Sequence, residues 1–363
     1  MGDLYSLAFS SSFLLKVLFV LVISNTNMVK VETVGSESSF TFESSQMGTL
    51  FRITLYSDDP ELAQMAADSA FQRVAVLNSI FSDYNSDSEL QMLSDMSGSD
   101  RHIPVSDELF DILKLAHKIS LQTGGAFDVT AGPFTHEWRT VIRGLRADVP
   151  GQDEIETLSR SVGYEYISFQ DSNRAISLTV PDMQLDLGGI GKGFAAKEIW
   201  KVMQHFNLFH VLINAGGDIM TGDPPPHRDF WVVAIPEYIG PGSIGKHDSA
   251  SVSLKLSNKA ITTSGDLYQY VEINGKRFSH IVNPLTGLGI TQPTHATVIG
   301  YNATLTDAYA TALNILPPDE GIALINQIDG FEARILILAH DDEPQIRYSD
   351  GFNSYLIQDT DVN

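Results

Sequence analysis

The chain has 363 residues, 45 Asp and Glu against 23 Lys and Arg, a formal net charge of −22 at pH 7, and no cysteine. The missing thiols exclude disulfides, thiolate-bound metals, Fe–S clusters, thiol nucleophiles and cysteine-linked lipid anchors together. The acidity opposes a nucleic-acid backbone as main partner, and a phosphorylated small substrate would need a metal ion or a local positive site to overcome the same repulsion.

The most apolar stretch is Phe13–Ser24 (FLLKVLFVLVIS), where Lys16 is the one charge and Val17–Ile23 is apolar without a break. This is short for a membrane-spanning helix, which needs ~20 residues, but it suits the core of a secretory signal. Residues 1–24 are therefore expected to be a signal peptide or an uncleaved membrane anchor. Residues 25–39 read as a polar linker and 40–363 as one folded domain.

In that domain strands and helices alternate. Phe51–Tyr56 predicts a strand, and Asp59-Pro60 opens a helix, with proline in the first turn where its missing N–H costs nothing. Leu62, Ala66, Ala70, Val74, Leu77 and Phe81 keep the helical period and form one apolar face. Ser106 is placed to cap a second helix, with Leu109, Ile112, Leu115, Ala116 and Ile119 inward and Gly124 at its end. Further strands are predicted at Tyr166–Phe169, Ala175–Val180, Val211–Ala215, Trp231–Ile235, Val252–Leu256, Tyr268–Ile273, Ala296–Gly300 and Ile335–Ala339, with a last short one near Tyr355. Several neighbours have hairpin-length links, so the fold class is α/β in the α+β sense, with mixed or mainly antiparallel sheets and helices on one side.

Several segments could carry chemistry. Leu185–Phe194 (LDLGGIGKGF) runs into a helical stretch, so backbone N–H groups, the positive helix end and Lys192 could receive an anion. It is neither of the familiar nucleotide loops, because Asp186 stands where a Walker loop requires glycine and Phe194 where the dinucleotide fingerprint does. A tight structural turn explains the glycines equally well. In Thr304–Leu316 (TLTDAYATALNIL), Asp307 and Thr311 are one helical turn apart and present two oxygens on one face. Such oxygens suit Mg²⁺ with substrate phosphates, although an acidic residue in a first helical turn is also favoured by the helix dipole alone. His280, in Arg277–Gly289 (RFSHIVNPLTGLG), stands at a strand end before an Asn-Pro turn, a place for a positioned general base or for a packed structural histidine. Gly124–Pro133 (GGAFDVTAGP) and Asn214–Asp218 (NAGGD) read as ligand-facing loops or ordinary turns.

Taken together and in order, these segments resemble the ApbE family, the FAD:protein FMN transferases. The likeness runs from about Thr41 to Asn326 through MGT at Met47–Thr49, Ser82-Asp83-Tyr84, GGAFDVTAGP, LDLGGIGKG, NAGGD, TTSGD at Thr262–Asp266, SHIVNPLTG and TDAYATAL. The resemblance implies a two-layer α/β fold related to the T-fold. It implies a flavin near Met47, Tyr84, Ala126, Phe127, Asp128, Lys192 and Ile281, and Mg²⁺ held by the Gly189 carbonyl with the side chains of Asp307 and Thr311. His280 matches the position of the base. The implied reaction is Mg²⁺-dependent transfer of FMN from FAD to a Thr or Ser hydroxyl of an acceptor flavoprotein, releasing AMP, on the periplasmic side of the membrane. Two other readings stay open: an FAD pyrophosphatase in which water replaces the acceptor, and a non-catalytic flavin-binding protein. The chain departs from many relatives at Asn283 and Leu285, where they carry Asp and Arg, and having no cysteine it cannot be lipid-anchored as many of them are.

Overall fold

The computed structural model describes residues 27–34, 37–236, 251–265, 269–338 and 344–358. The expected leader at 1–24 lies outside these residues, as do Asp266, Tyr268 and Ala339. From the N-terminal side, β1 (Asn27–Val34), β2 (Glu37–Gln46) and β3 (Thr49–Ser57) are followed by α1 (Pro60–Phe81) and α2 (Glu89–Asp95). Next come β4 (Ile103–Pro104), α3 (Asp107–Gln122), α4 (Gly132–Ile142), α5 (Gln152–Ser159), β5 (Ile167–Gln170) and β6 (Ala175–Leu178). Then α6 (Gly191–His205) leads to β7 (Val211–Ala215), β8 (Asp218–Thr221), β9 (Trp231–Pro236), β10 (Ser251–Leu256) and β11 (Ala260–Gly265). The last part holds β12 (Tyr270–Ile273), β13 (Lys276–Ser279), β14 (Val282–Asn283), β15 (Leu288–Gly289), β16 (Thr294–Gly300), α7 (Ala303–Leu313), α8 (Pro318–Ile325), β17 (Glu332–Ile337) and β18 (Gln345–Tyr348).

Among the described residues nine strands make the main sheet, in the order β1-β2-β3-β7-β8-β11-β16-β17-β18. Every neighbouring pair is antiparallel, as the hairpin-length links predict. Alternation then sorts side chains to two faces. Phe51, Ile53 and Leu55, Val211, Ile213 and Ala215, and Ala333 and Ile335 turn to the helical face, where they share one core with α1, α3, α6 and α7. On the opposite face Ile261 and Ile299 pack against Val233, Ile235, Leu254 and Leu256 of the β9–β10 pair and against Phe352.

Helix α1 starts as its sequence dictates. Asp59 caps it, accepting from the Glu61 and Leu62 N–H groups at 2.9 and 3.0 Å, and Pro60 occupies the first turn. Ala66, Ala70, Val74, Leu77 and Phe81 are buried along one face. Ser106 caps α3 through its hydroxyl.

Three stretches differ from expectation. Within 25–39, expected as a polar linker, residues 27–34 form the edge strand β1 and residue 37 opens β2. An edge strand is paired on one side only, so polar residues suit it. GGAFDVTAGP, read as a loop, ends inside α4, whose first turn holds Pro133. Near Tyr355, where a strand is expected, Phe352–Tyr355 is a 3₁₀ turn followed by a single bridge from Leu356 to Leu254. The strand of this region is β18, which ends at Tyr348, seven residues before Tyr355.

Candidate active site

Helices α6 and α7 pack closely where they cross. A methyl group added at Gly193 would sit 2.2 Å from the Ala303 carbonyl oxygen and 2.8 Å from Asp307 Cβ. Glycine is therefore required for the two helices to approach this closely. The approach brings the Gly193 N–H to 2.9 Å from Asp307 Oδ2. Lys192, one residue earlier, places Nζ 2.8 Å from Asp218 Oδ2 and 3.7 Å from Asp307 Oδ1. Asp218 opens β8, and both carboxylates are only 2% exposed.

Two buried carboxylates thus share one ammonium. Burial, reinforced by the Asp218 charge, pushes Asp307 up to about 7, against the pull of Lys192 and the Gly193 N–H. Burial alone would favour the neutral amine at Lys192, but Asp218 and Asp307 together hold it above the usual lysine range.

One turn along α7, Thr311 Oγ1 donates to the Asp307 carbonyl at 3.1 Å. A methyl group on Gly189 would lie 2.9 Å from that same Oγ1. Gly189, Asp307 and Thr311, the expected Mg²⁺ ligands, are therefore brought together. Carboxylate, hydroxyl and carbonyl oxygens are the hard donors Mg²⁺ takes, and one or two carboxylates are its usual complement. Among the described residues no group of three or more His, Asp or Glu could hold a metal, so a cation here depends on this mixed oxygen set.

The loop before α6 is tied to a second cluster through Arg139. Asp186 Oδ1 accepts the Gly188 N–H at 2.7 Å, and its Oδ2 accepts Thr135 Oγ1 at 2.7 Å and Arg139 Nη2 at 2.8 Å. Arg139 also pairs with Asp83. Burial opposes the ionised Asp83, but His136 and Arg139 outweigh it and hold this carboxyl below the usual range. The Arg139 guanidinium stands 4.7 Å from the Tyr84 ring centroid and that of Arg143 5.5 Å from it. Tyr84 is 66% exposed, so its ring is held by cations yet open to solvent.

The remaining expected residues fall in different settings. Met47 has a left-handed φ of 46° in the β2–β3 turn. It lines a cleft of about 430 Å³ with Thr49 and Asn78. A methyl on Gly216, in NAGGD, would sit 2.5 Å from Thr49 Cγ2, so that loop borders the cleft. Ala126 and Phe127 are buried, with Phe127 in the helical core at 4% exposure. Asp128 is engaged in building the fold: it accepts from Thr130 N–H and Oγ1 at 2.8 and 2.7 Å and from Tyr164 N–H at 2.9 Å, and burial raises its carboxyl. Ile281 is buried, its N–H donating to Ser279 Oγ at 2.9 Å.

His280 is exposed in the turn between β13 and β14. Its Nδ1 lies 3.1 Å from the Gln269 carbonyl oxygen. A carbonyl can only accept, so Nδ1 carries the proton and Nε2 is the basic nitrogen. In the adjoining turn, Asn283 Oδ1 accepts the Leu285 N–H at 2.9 Å, and a methyl on Gly125 would meet Leu285 Cδ2 at 3.1 Å. The glycine loop of GGAFDVTAGP and the SHIVNPLTG turn thus face each other.

Two residues escape the sequence reading. Asp218 was visible only as the end of a glycine turn, and its partner Lys192 lies 26 positions earlier. Arg139 carries no motif at all, since only the fold brings it to Asp83 and Asp186.

Comparisons with known proteins place the chain in a family and a fold. A sequence model described as the ApbE family matches residues 47–335. The chain is 26% identical over 324 residues to the FAD:protein FMN transferase of Escherichia coli (strain K12), covering 87% of this chain and 89% of that protein. It is 28% identical over 302 residues to the FAD:protein FMN transferase of Treponema pallidum, covering 79% and 81%. In three dimensions it matches the apo form of Pseudomonas stutzeri flavinyl transferase ApbE with a TM-score of 0.77 at 22% identity, covering 89% of this chain and 98% of that one. The flavin transferase ApbE of Vibrio cholerae gives 0.76 at 23% identity, covering 90% and 100%. These two likenesses establish the fold.

Proposed function

Because the chain belongs to the ApbE family, we infer that it is an FAD:protein FMN transferase that moves the FMN moiety of FAD to a Thr or Ser hydroxyl of an acceptor flavoprotein, with Mg²⁺, releasing AMP. The observation that carries the finer reading is the convergence of Gly189, Asp307 and Thr311 beside Lys192. The oxygens of Gly189, Asp307 and Thr311 would hold Mg²⁺, which when bound neutralises diphosphate charge and orients the phosphates. The need is large, because the substrate is an anion and the chain is itself anionic.

The chain's own residues divide the remaining work. His280, with Nδ1 donating to Gln269 O, presents Nε2 to take the proton of the attacking hydroxyl. The hydroxyl oxygen bonds to the FMN-side phosphorus, the bond from that phosphorus to the bridging oxygen breaks, and AMP leaves with the electron pair. The N-terminal turn of α6 and the Lys192 ammonium supply positive potential for phosphate oxygens. Tyr84, whose ring lies near the Arg139 and Arg143 guanidinium groups and is largely exposed, offers a flat face to an aromatic ring of the ligand.

The test is to incubate pure protein with FAD and Mg²⁺, with and without an acceptor domain. Covalently fluorescent acceptor and free AMP are the expected products. Free FMN formed at the same rate in both tubes would mean hydrolysis instead, and intact FAD in both would mean a binding protein. The apolar segment Phe13–Ser24 supports an exported enzyme acting at the periplasmic side of the membrane. Recovery of the protein in the cytosolic fraction with residues 1–24 intact would refute that placement.

A further inference from the structure

Lys192 does not share its charge evenly. Its Nζ makes a close ion pair with Asp218 Oδ2 at 2.8 Å, but stands 3.7 Å from Asp307 Oδ1, too far for a hydrogen bond. Asp307 Oδ2 is already held by the Gly193 N–H at 2.9 Å. Oδ1 is therefore the Asp307 oxygen that the ammonium approaches, to 3.7 Å, without closing on it. Asp218 is fixed in place by the NAGGD turn: Gly216 and Gly217 take left-handed φ values of 66° and 105°, and Asn214 Oδ1 accepts the Gly217 N–H at 2.8 Å. Its backbone is then locked opposite Ala215 in the β7–β8 ladder.

We propose that Asp218 is a positioning residue that holds the Lys192 ammonium to its own side, keeping it off Asp307 Oδ1 and leaving that oxygen to a divalent cation. The inference rests on the reading of Asp307 as a cation ligand. Its physical basis is that an ammonium whose side chain is only 30% exposed, set beside two buried carboxylates, is most stable against one of them. With Asp218 neutralised, Asp307 becomes that partner, Nζ closes on Oδ1, and an incoming cation has to displace it. A competing explanation is that Asp218 attracts the cation through its charge alone. The two differ in one respect: only positioning requires Lys192.

A double-mutant cycle separates them. Mn²⁺ binding to the full chain without FAD would be followed by electron paramagnetic resonance for the parent, Asp218→Asn, Lys192→Met and the double variant, with folding checked by thermal melting. Asp218→Asn is expected to weaken Mn²⁺ binding by about tenfold or more beside Lys192 but by less than about threefold beside Met. Equal losses in both backgrounds would overturn the proposal. Should Lys192→Met fail to fold, the metal-free crystal structure of Asp218→Asn decides the matter. Nζ within about 3 Å of Asp307 Oδ1 supports positioning, and Nζ still at 3.7 Å refutes it. A parent chain that binds no Mn²⁺ would overturn the cation reading itself, and the crystallographic arm would still report on the lysine.

Discussion

Two regions of the site are built by different means. The inner cluster of Lys192, Asp218 and Asp307 lies where α6, β8 and α7 meet, and its carboxylates are almost wholly buried. Its geometry follows from the packing of Gly193 on Ala303 and from the β7–β8 ladder, so it cannot move without opening the core. The outer rim of His280, Leu285 and Tyr84 sits on turns, exposed, and held by local bonds such as Gln269 O to His280 Nδ1 and the arginines over Tyr84. On the proposed reading, the charges that would stabilise phosphate are fixed in advance beside buried carboxylates, where such groups act most strongly. On the same reading, the groups that would meet a protein acceptor are left where a partner can reach them.

The largest expected effect tests the inner cluster. Asp307→Ala leaves Lys192 paired with Asp218 as a neutral couple, so the chain should fold and melt near the parent temperature. Its kcat/KM for FMN transfer should fall by ~10³-fold, the several kcal/mol that a bound cation contributes. An unfolded variant would show that the cluster is structural rather than functional. His280→Ala comes next, with kcat lower by ~10²-fold, the lower end of what a positioned base supplies. FAD binding, read by equilibrium titration, should be unchanged. A loss of FAD affinity equal to the loss of rate would place His280 in ligand binding.

Much of the inner region was legible in the sequence, because helical spacing alone puts Asp307 and Thr311 on one face and the glycine loop announces the start of α6. Asp218 was not, since a glycine turn ending in an acid is compatible with simple chain reversal and its role depends on a lysine brought in by β7 and α6. At Phe127 the pattern misleads in the other direction. An aromatic residue among glycines looks the same whether it meets a ligand or the core, and here its ring is in the core. The fold was read well where alternation or capping was strong, as at Asp59 and in β7. It was missed in β1, where an edge strand tolerates polar residues, and in α2, α5 and α8, which have eight residues or fewer and too few turns to display a period.

The two regions should also respond oppositely to pH in metal-free buffer. Asp307 is raised from 3.8 to about 7, so well below pH 3.8 it is protonated in folded and unfolded chains alike. As pH rises toward 7 the unfolded chain releases the proton more readily, and stability falls, read as a lower Tm. Asp83 is lowered, so its contribution is present above the ordinary carboxylate range and is lost as pH falls below it. Melting curves from pH 3 to 8 should show both slopes. Asp307→Asn should remove the first and Asp83→Asn the second. Adding Mg²⁺ should raise stability at pH 7 in the parent but not in Asp307→Asn.

The smallest effect is expected at Tyr84, and it draws the boundary between the regions most finely. The ring is held by Arg139 and Arg143 but mostly exposed, so its loss removes one stacking face and leaves the inner charges in place. Tyr84→Ala should raise KM for FAD by about three- to tenfold, the scale of one aromatic or cation–π contact, with kcat nearly unchanged. Tyr84→Phe keeps the ring and loses only the 3.4 Å contact from Arg143 to the hydroxyl, so it should behave like the parent. If Tyr84→Ala lowered kcat as far as His280→Ala does, the rim would be aligning the phosphates as well as binding the ring. Arg139, which links Tyr84 to Asp186 and the Gly188 N–H, would then be the path by which a surface contact reaches the buried cluster.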